Sequence, residues 1–341
     1  MNSFRTALSV LLCAATVPVA AQTPAQTPAQ ETVIKFATLA PQGSTWMKVM
    51  NEFDKELREK TGNKLRFKFY AGGVSGDEKD VVSKMRIGQL HAAGVTGVGL
   101  GVVAPAVRVM DAPFLFRSAA EVDYAHSKVD AELDAAIEKG GFVNLGWAEV
   151  GLVYVFTNIP IKDFEDLKKT KMWVWEGDPI AEAAFKAVDV NPIPLSIQDV
   201  MTSLQTGLIN AVYGSPMGVV ALQWFTKTKY IYSVPLANAS GAVLVSKKFV
   251  DGLPAEQRAA FLEIGKKHMA RLTALSRAEN KQALDALQKQ GLALTHPASA
   301  GELAKYEGLA RQARKTLVGR LYPQGLLDKV EKAVEDHRAK R

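Results

Sequence analysis

The chain has 341 residues, 48% of them apolar and 23% charged, with a formal net charge of +7. That gives room for two ordinary domains and a sizeable core, and it excludes a disordered or fibrous chain. The positive balance does not point to nucleic acid: bases alternate with acids in stretches such as "NEFDKELREKTGNK", with no dense basic patch interleaved with aromatics.

The first thirty residues stand apart. Arg5 precedes the apolar run "ALSVLLCAATVPVA", and Val19-Ala20-Ala21 offers small residues for cleavage. This predicts a secretory signal peptide over 1–21, cleaved near Ala21, and a periplasmic location. The run is too short to span a membrane, and no later run approaches that length. Cys13, the only cysteine, lies inside the signal, and Leu11 and Leu12 before it do not suit lipid attachment. The mature chain then carries neither disulfide nor thiol nucleophile, and loss of Arg5 lowers its charge to about +6. "TPAQTPAQ" (23–30) cannot bury a core and predicts a disordered tether over 22–31.

"TVIKFATLA" (32–40) reads as a strand from its β-branched residues and alternation. In 43–62, Trp46, Val49, Met50, Phe53 and Leu57 fall at helical spacing, with Ser44 or Thr45 as cap and Gly62 as stop. A strand (64–70), a helix (77–88) and a short strand (90–96) complete a β-α-β-α-β run, the mark of a largely parallel α/β sheet. "RVMDAPFLF" (108–116) reads as extended, followed by a helix over 118–139 and one or two strands over 142–157. A second set of short strands and helices fills 163–250, including "KMWVW" and "INAVYGSP". Residues 254–290 read as one unusually long helix, then "LALT" as a strand, then helices near 298–318 and 323–338.

Motifs for chemistry are sparse. His91, His126, His268, His296 and His337 have no metal-ligand spacing. "TGVGLGV" (96–102) is G-x-G-x-G without the third glycine of a dinucleotide loop, so a flexible loop at a strand end is the simpler reading. There is no phosphate-binding P-loop and no nucleophile elbow. No cofactor and no metal is expected. What remains is a set of aromatic and polar residues at the C-terminal ends of strands, where open α/β sheets bind ligands. These are Thr96, Trp147, Glu149, Tyr154, Trp173, Trp175, Glu176, Tyr213 and Ser215, joined by Trp46 at the start of the first helix. Trp173 and Trp175 are two apart in a strand, so both rings share one face.

In order and spacing, several stretches resemble the periplasmic solute-binding subunits of TRAP (tripartite ATP-independent periplasmic) transporters, the dicarboxylate-binding DctP type. They are "FATLAPQGSTWMKVMNEFDKELREKTGNKLRFKFYAGG", "MDAPFLF", "DFEDLKKTKMWV", "PIPLSIQDVMTSLQTGLINAVYGSP" and "LVSKKFVDGLPAEQRAAF". The resemblance runs from about residue 32 to 335. It implies a two-lobed α/β fold of the periplasmic-binding-protein class II type, with a long helix spanning both lobes. It also implies a membrane permease as partner. In the family, an arginine that pairs with the substrate carboxylate stands where this chain has Trp173. A second stands near Leu152 and Val153, and the family's asparagine before the proline is Ser215 here. The fold is therefore expected, with an aromatic wall in place of a carboxylate clamp.

The expected lobes are 31–152 plus 241–285, and 153–240 plus 286–341. The expected function is capture of a small, uncharged or partly apolar solute and its delivery to a TRAP-type permease, with no enzymatic activity. Two other readings stay open: a lipid- or ligand-binding module without a permease, and a hydrolase or isomerase using Glu149, Glu176 or Asp178.

Overall fold

The computed structural model describes residues 31–340; the expected signal peptide, Cys13 and the tether up to residue 30 lie outside the described residues. Strand β1 (Thr32–Thr38) leads through helix α1 (Thr45–Lys60) to β2 (Leu65–Tyr70), and through α2 (Glu78–Arg86) to β3 (Ala92–Thr96). Both pairings of β1 are parallel, as the β-α-β-α-β pattern predicts. Helix α1 starts where Ser44 accepts a hydrogen bond from Met47 N–H at 3.3 Å. It buries Trp46, Met47, Val49, Met50, Phe53 and Leu57 against the sheet. Each such side chain contributes about 1.5–3 kcal/mol of burial.

The next segment departs from expectation twice. Residues Gly97–Val103 form helix α3 rather than a flexible loop, and Pro105–Asp111 form a 3₁₀ helix where 108–116 was expected to be extended. A Cβ on Gly97 would lie 2.0 Å from Asp111 Oδ2, and one on Gly101 would lie 3.2 Å from the Arg108 stem. The glycines thus serve close packing of a charged pair on a helix face, not loop flexibility. Helix α4 (Ala119–Lys139) and β4 (Phe142–Trp147) follow.

The second layer begins with β5 (Gly151–Thr157), α5 (Phe164–Lys168), β6 (Trp173–Trp175), α6 (Pro179–Ala187) and β7 (Ile193–Leu195). It continues with α7 (Val200–Thr206), β8 (Ala211–Gly214), α8 (Pro216–Ala221), β9 (Tyr230–Tyr232) and β10 (Ala237–Ala239). The chain then returns to the first sheet as β11 (Gly241–Ser246) and α9 (Lys247–Asp251). Strand β11 runs antiparallel between β3 and β4, giving the order β2-β1-β3-β11-β4. In the second layer β5 is the hub, pairing with β8, β9 and β10, and β12 (Ala293–Thr295) extends the edge beyond β9.

Between β11 and β12 lies α10 (Ala255–Lys289), 35 residues long. Its Phe261, Ile264, Met269 and Leu272 join the core of the first sheet, and Leu287 joins the core of the second. The expected long helix across both lobes is thus present. Helix α11 (Ala300–Thr316) places Tyr306 in the second layer. Helix α12 (Gln324–Arg338) does not stay with the second lobe as expected. Its Leu326, Leu327, Val330, Ala333 and Val334 pack with Val122, Ala125 and Val129 of α4, in a core shared with the first sheet.

Candidate functional site

A cleft of about 640 Å³ lies between the two layers, within the usual range for ligand sites. Its first wall is the C-terminal ends of β1 and β3, where Thr38, Thr96 and Gly97 sit. The connections leave β1 toward β2 on one side and reach β3 on the other, so this is the sheet's switch point, the usual binding crevice of such folds. The opposite wall is the ends of β6 and β8 with α8, and α10 closes one side with Glu279, Gln282 and Leu287.

Six of the ten expected residues share this cleft: Trp46, Thr96, Trp173, Trp175, Tyr213 and Ser215. The two β6 tryptophans do face one side, with ring centroids 6.2 Å apart. Trp173 stacks on Tyr213 at 4.9 Å and meets the Trp224 edge at 5.3 Å. Both indole N–H groups are used: Trp173 Nε1 donates to Leu195 O at 3.0 Å, and Trp175 Nε1 donates to Asp77 at 2.9 Å. The latter bond ties the two layers together across the cleft. Trp173 is only 1% exposed, so it supports the wall from behind as much as it lines it. Ser215 caps α8, accepting from Gly218 N–H at 3.1 Å.

The other four lie elsewhere. Trp147 and Glu149 line a separate, polar cleft of about 590 Å³ between α4, β4 and α10. There Arg277 Nε donates to Glu149 at 3.0 Å, and the same guanidinium holds Asp123 through two bonds of 2.7 and 2.8 Å. Glu176 is exposed, and its backbone carbonyl accepts from Lys79. Tyr154 sits within β5, opposite Gly214 of β8, off the cleft wall. Tyr154 is thus mid-strand rather than at a strand end, and β4 turns its end toward α10 and away from the second layer.

Sequence reasoning missed the charged centre of the main cleft. Arg108 Nε donates to Asp111 at 2.8 Å, and its Nη2 donates to Asp178 at 2.8 Å. All three side chains are 5–8% exposed. Burial opposes the guanidinium charge, but Asp178 and then Asp111 outweigh it and raise the Arg108 pKa. Asp111 is held in turn by Ser240 N–H at 2.8 Å, and Asp178 caps α6 by accepting from Ile180 N–H at 3.1 Å. Nearby, Glu78 accepts from Thr96 N–H, Thr96 O–H and Gly99 N–H at 2.7–3.0 Å. Burial pushes its carboxyl up to about 7 against those bonds. The signal for Arg108 and Asp111 was available: a cation and an acid three apart inside the apolar "AVRVMDA" are rarely buried unless paired. Among the described residues Arg108 is the only arginine, and Lys48 the only lysine, on the cleft wall.

Residues 36–315 match the family model for bacterial extracellular solute-binding protein, family 7, the DctP family. The chain is 26% identical over 251 residues to a solute-binding protein of Verminephrobacter eiseniae, covering 70% of this chain and 71% of that one. It is 24% identical over 310 residues to the C4-dicarboxylate-binding periplasmic protein DctP of Rhodobacter capsulatus, covering 89% and 91%. A TRAP periplasmic solute-binding protein of Haemophilus influenzae, solved with bound L-gulonate, shares the fold at a TM-score of 0.82 and 20% identity, covering 90% and 99%. The order β2-β1-β3-β11-β4, the cleft at its switch point and the long helix across both layers fit that match: this chain belongs to the DctP family of extracellular solute-binding proteins.

Proposed function

We propose that this protein captures a small, largely apolar solute without a carboxylate in the main cleft and delivers it to a TRAP-type membrane permease. Trp46, Thr96, Trp173, Trp175, Tyr213 and Ser215 are the wall residues assigned to it. The observation that carries the reading is the state of Arg108, the one arginine among the described wall residues, whose charge is already met by two carboxylates. With Glu78 and Glu279, four carboxyl groups stand on the walls against Arg108 and Lys48. A solute carboxylate buried there without a partner would lose about 3–5 kcal/mol, a hundredfold or more in affinity at about 1.4 kcal/mol per decade. An aromatic wall in place of the family's clamp at Trp173 supports the same conclusion. Relatives named for acids share the fold, while the solute is set by each chain's own wall residues.

The lobes are assigned as about 31–152 with 241–285 and α12, and 153–240 with α11. Closure about the β4–β5 and β10–β11 crossings would bury the solute. Calorimetry and thermal shift against succinate, malate, L-gulonate, neutral aromatics and organic amines test the reading. Binding is expected from the neutral or cationic apolar set, weakened in Trp175→Ala. Micromolar binding of any of the three acids by the unmodified protein overturns it.

A further inference from the structure

We propose that Asp178 is the specificity determinant of this cleft: a carboxylate built into the chain that occupies the edge of Arg108 an acidic solute would need. The inference rests on the reading above and assigns it to one residue. Arg108 and Asp111 come from the same 3₁₀ turn, three residues apart, and Ser240 N–H fixes the far oxygen of Asp111. That pair is internal to the first layer. Asp178 arrives from the other layer, 70 residues along, at the first turn of α6. Its Oδ1 takes both the Arg108 Nη2 and the Ile180 N–H.

Capping alone does not need the charge. Serine or asparagine caps a helix as well as aspartate does, so the negative charge at residue 178 is surplus to α6. It is not surplus to Arg108: with Asp111 alone the guanidinium is balanced, and with Asp178 the triad carries a net negative charge. An incoming carboxylate therefore meets Nε and Nη2 already engaged, and a like charge. A solute with an ammonium group or no charge meets neither obstacle. Each aspartate meets the guanidinium through one donor, Nε for Asp111 and Nη2 for Asp178, so the protein itself supplies the charge-assisted partners that an acidic solute would otherwise provide.

The test is Asp178→Ser, which keeps a cap and vacates the edge of Arg108, beside Asp178→Asn, which keeps shape and cap and removes only the charge. Both are titrated with L-gulonate and succinate by calorimetry at low salt, with circular dichroism and melting curves to establish folding. The serine variant is expected to bind these acids about tenfold or more tighter than the unmodified protein. The asparagine variant is expected to gain less, since its amide still fills the place, and it keeps the test open should the serine variant fail to fold. Unchanged acid affinity in the folded variants overturns the role of Asp178. Tight acid binding by the unmodified protein instead overturns the reading of the cleft, so the two failures are distinct.

Discussion

Arg108 and Arg277 each hold two carboxylates, and they differ in burial. Arg108, Asp111 and Asp178 are 5%, 6% and 8% exposed, between the two layers and on the wall of the main cleft. Arg277, Glu149 and Asp123 are 28%, 10% and 60% exposed, in the polar cleft beside α10. The contacts are alike in chemistry and distance. Burial separates them: in the first, removal of the arginine leaves two buried carboxylates unpaired, and in the second, solvent takes over. An ion triad therefore says little until its burial is known.

The largest effect expected from this contrast is on Arg108. Arg108→Met keeps much of the stem that packs over Gly97 and Gly101 but leaves Asp111 and Asp178 unpaired. A loss of about 3–5 kcal/mol is expected, read from denaturant unfolding at neutral pH. A loss under about 1 kcal/mol would place the triad in the same class as the solvent-facing one and break the comparison.

Glu78 sharpens it, because it is a buried carboxyl on the same cleft whose partners are N–H and O–H groups rather than an arginine. Burial raises its pKa from 4.5 to about 7, with Asp77 adding a small like-charge effect. The folded protein therefore holds a proton that the unfolded chain releases above pH 4.5. Its contribution to stability is full below that pH and is lost as pH rises to about 7. The shift from 4.5 to about 7 corresponds to about 3 kcal/mol across the window. Thr96 O–H can reverse and accept from the protonated form, so the loop stays in place at low pH. Unfolding curves at pH 4.5, 5.5, 6.5 and 7.5 should show the decline in the unmodified protein and a flatter profile in Glu78→Gln. Equal slopes in the two would mean that the three donors, not burial, set the carboxyl.

The layered architecture was legible in the sequence because strand and helix periods are local. The β-α-β-α-β run, the length of α10 and the shared face of Trp173 and Trp175 follow from spacing alone. The pairing of Arg108 with Asp178 was not legible, since it joins residues 70 apart through a fold no local pattern encodes. "TGVGLGV" misled for a related reason: Gly97 and Gly101 answer to Arg108 and Asp111, and Gly99 to Glu78 and Val95, contacts made largely by side chains that reach α3 only in three dimensions. Glu149 and Trp147 were placed at a strand end, as they are, but the direction in which that end faces depends on α10, more than a hundred residues later. The four short elements β7, α8, β9 and β10 carry three to six residues each, too few for a period to register.

The smallest effect is expected at the second arginine. Arg277 donates to Glu149 and Asp123, and its pKa is raised first by the bonds to Asp123, with burial working against it. Asp123 is 60% exposed and regains water at once if the arginine goes; only Glu149, at 10%, is left short of a partner. Arg277→Ala should therefore cost about 1 kcal/mol or less, near the upper end for exposed pairs because of Glu149. Most of that loss should vanish in high salt, where pairs open to solvent are screened over about 3 Å at 1 M. The Arg108→Met loss should persist in the same salt, since its three side chains are buried and buried pairs are screened far less. A salt-insensitive loss of 3 kcal/mol or more at Arg277 would show that burial does not separate the two triads.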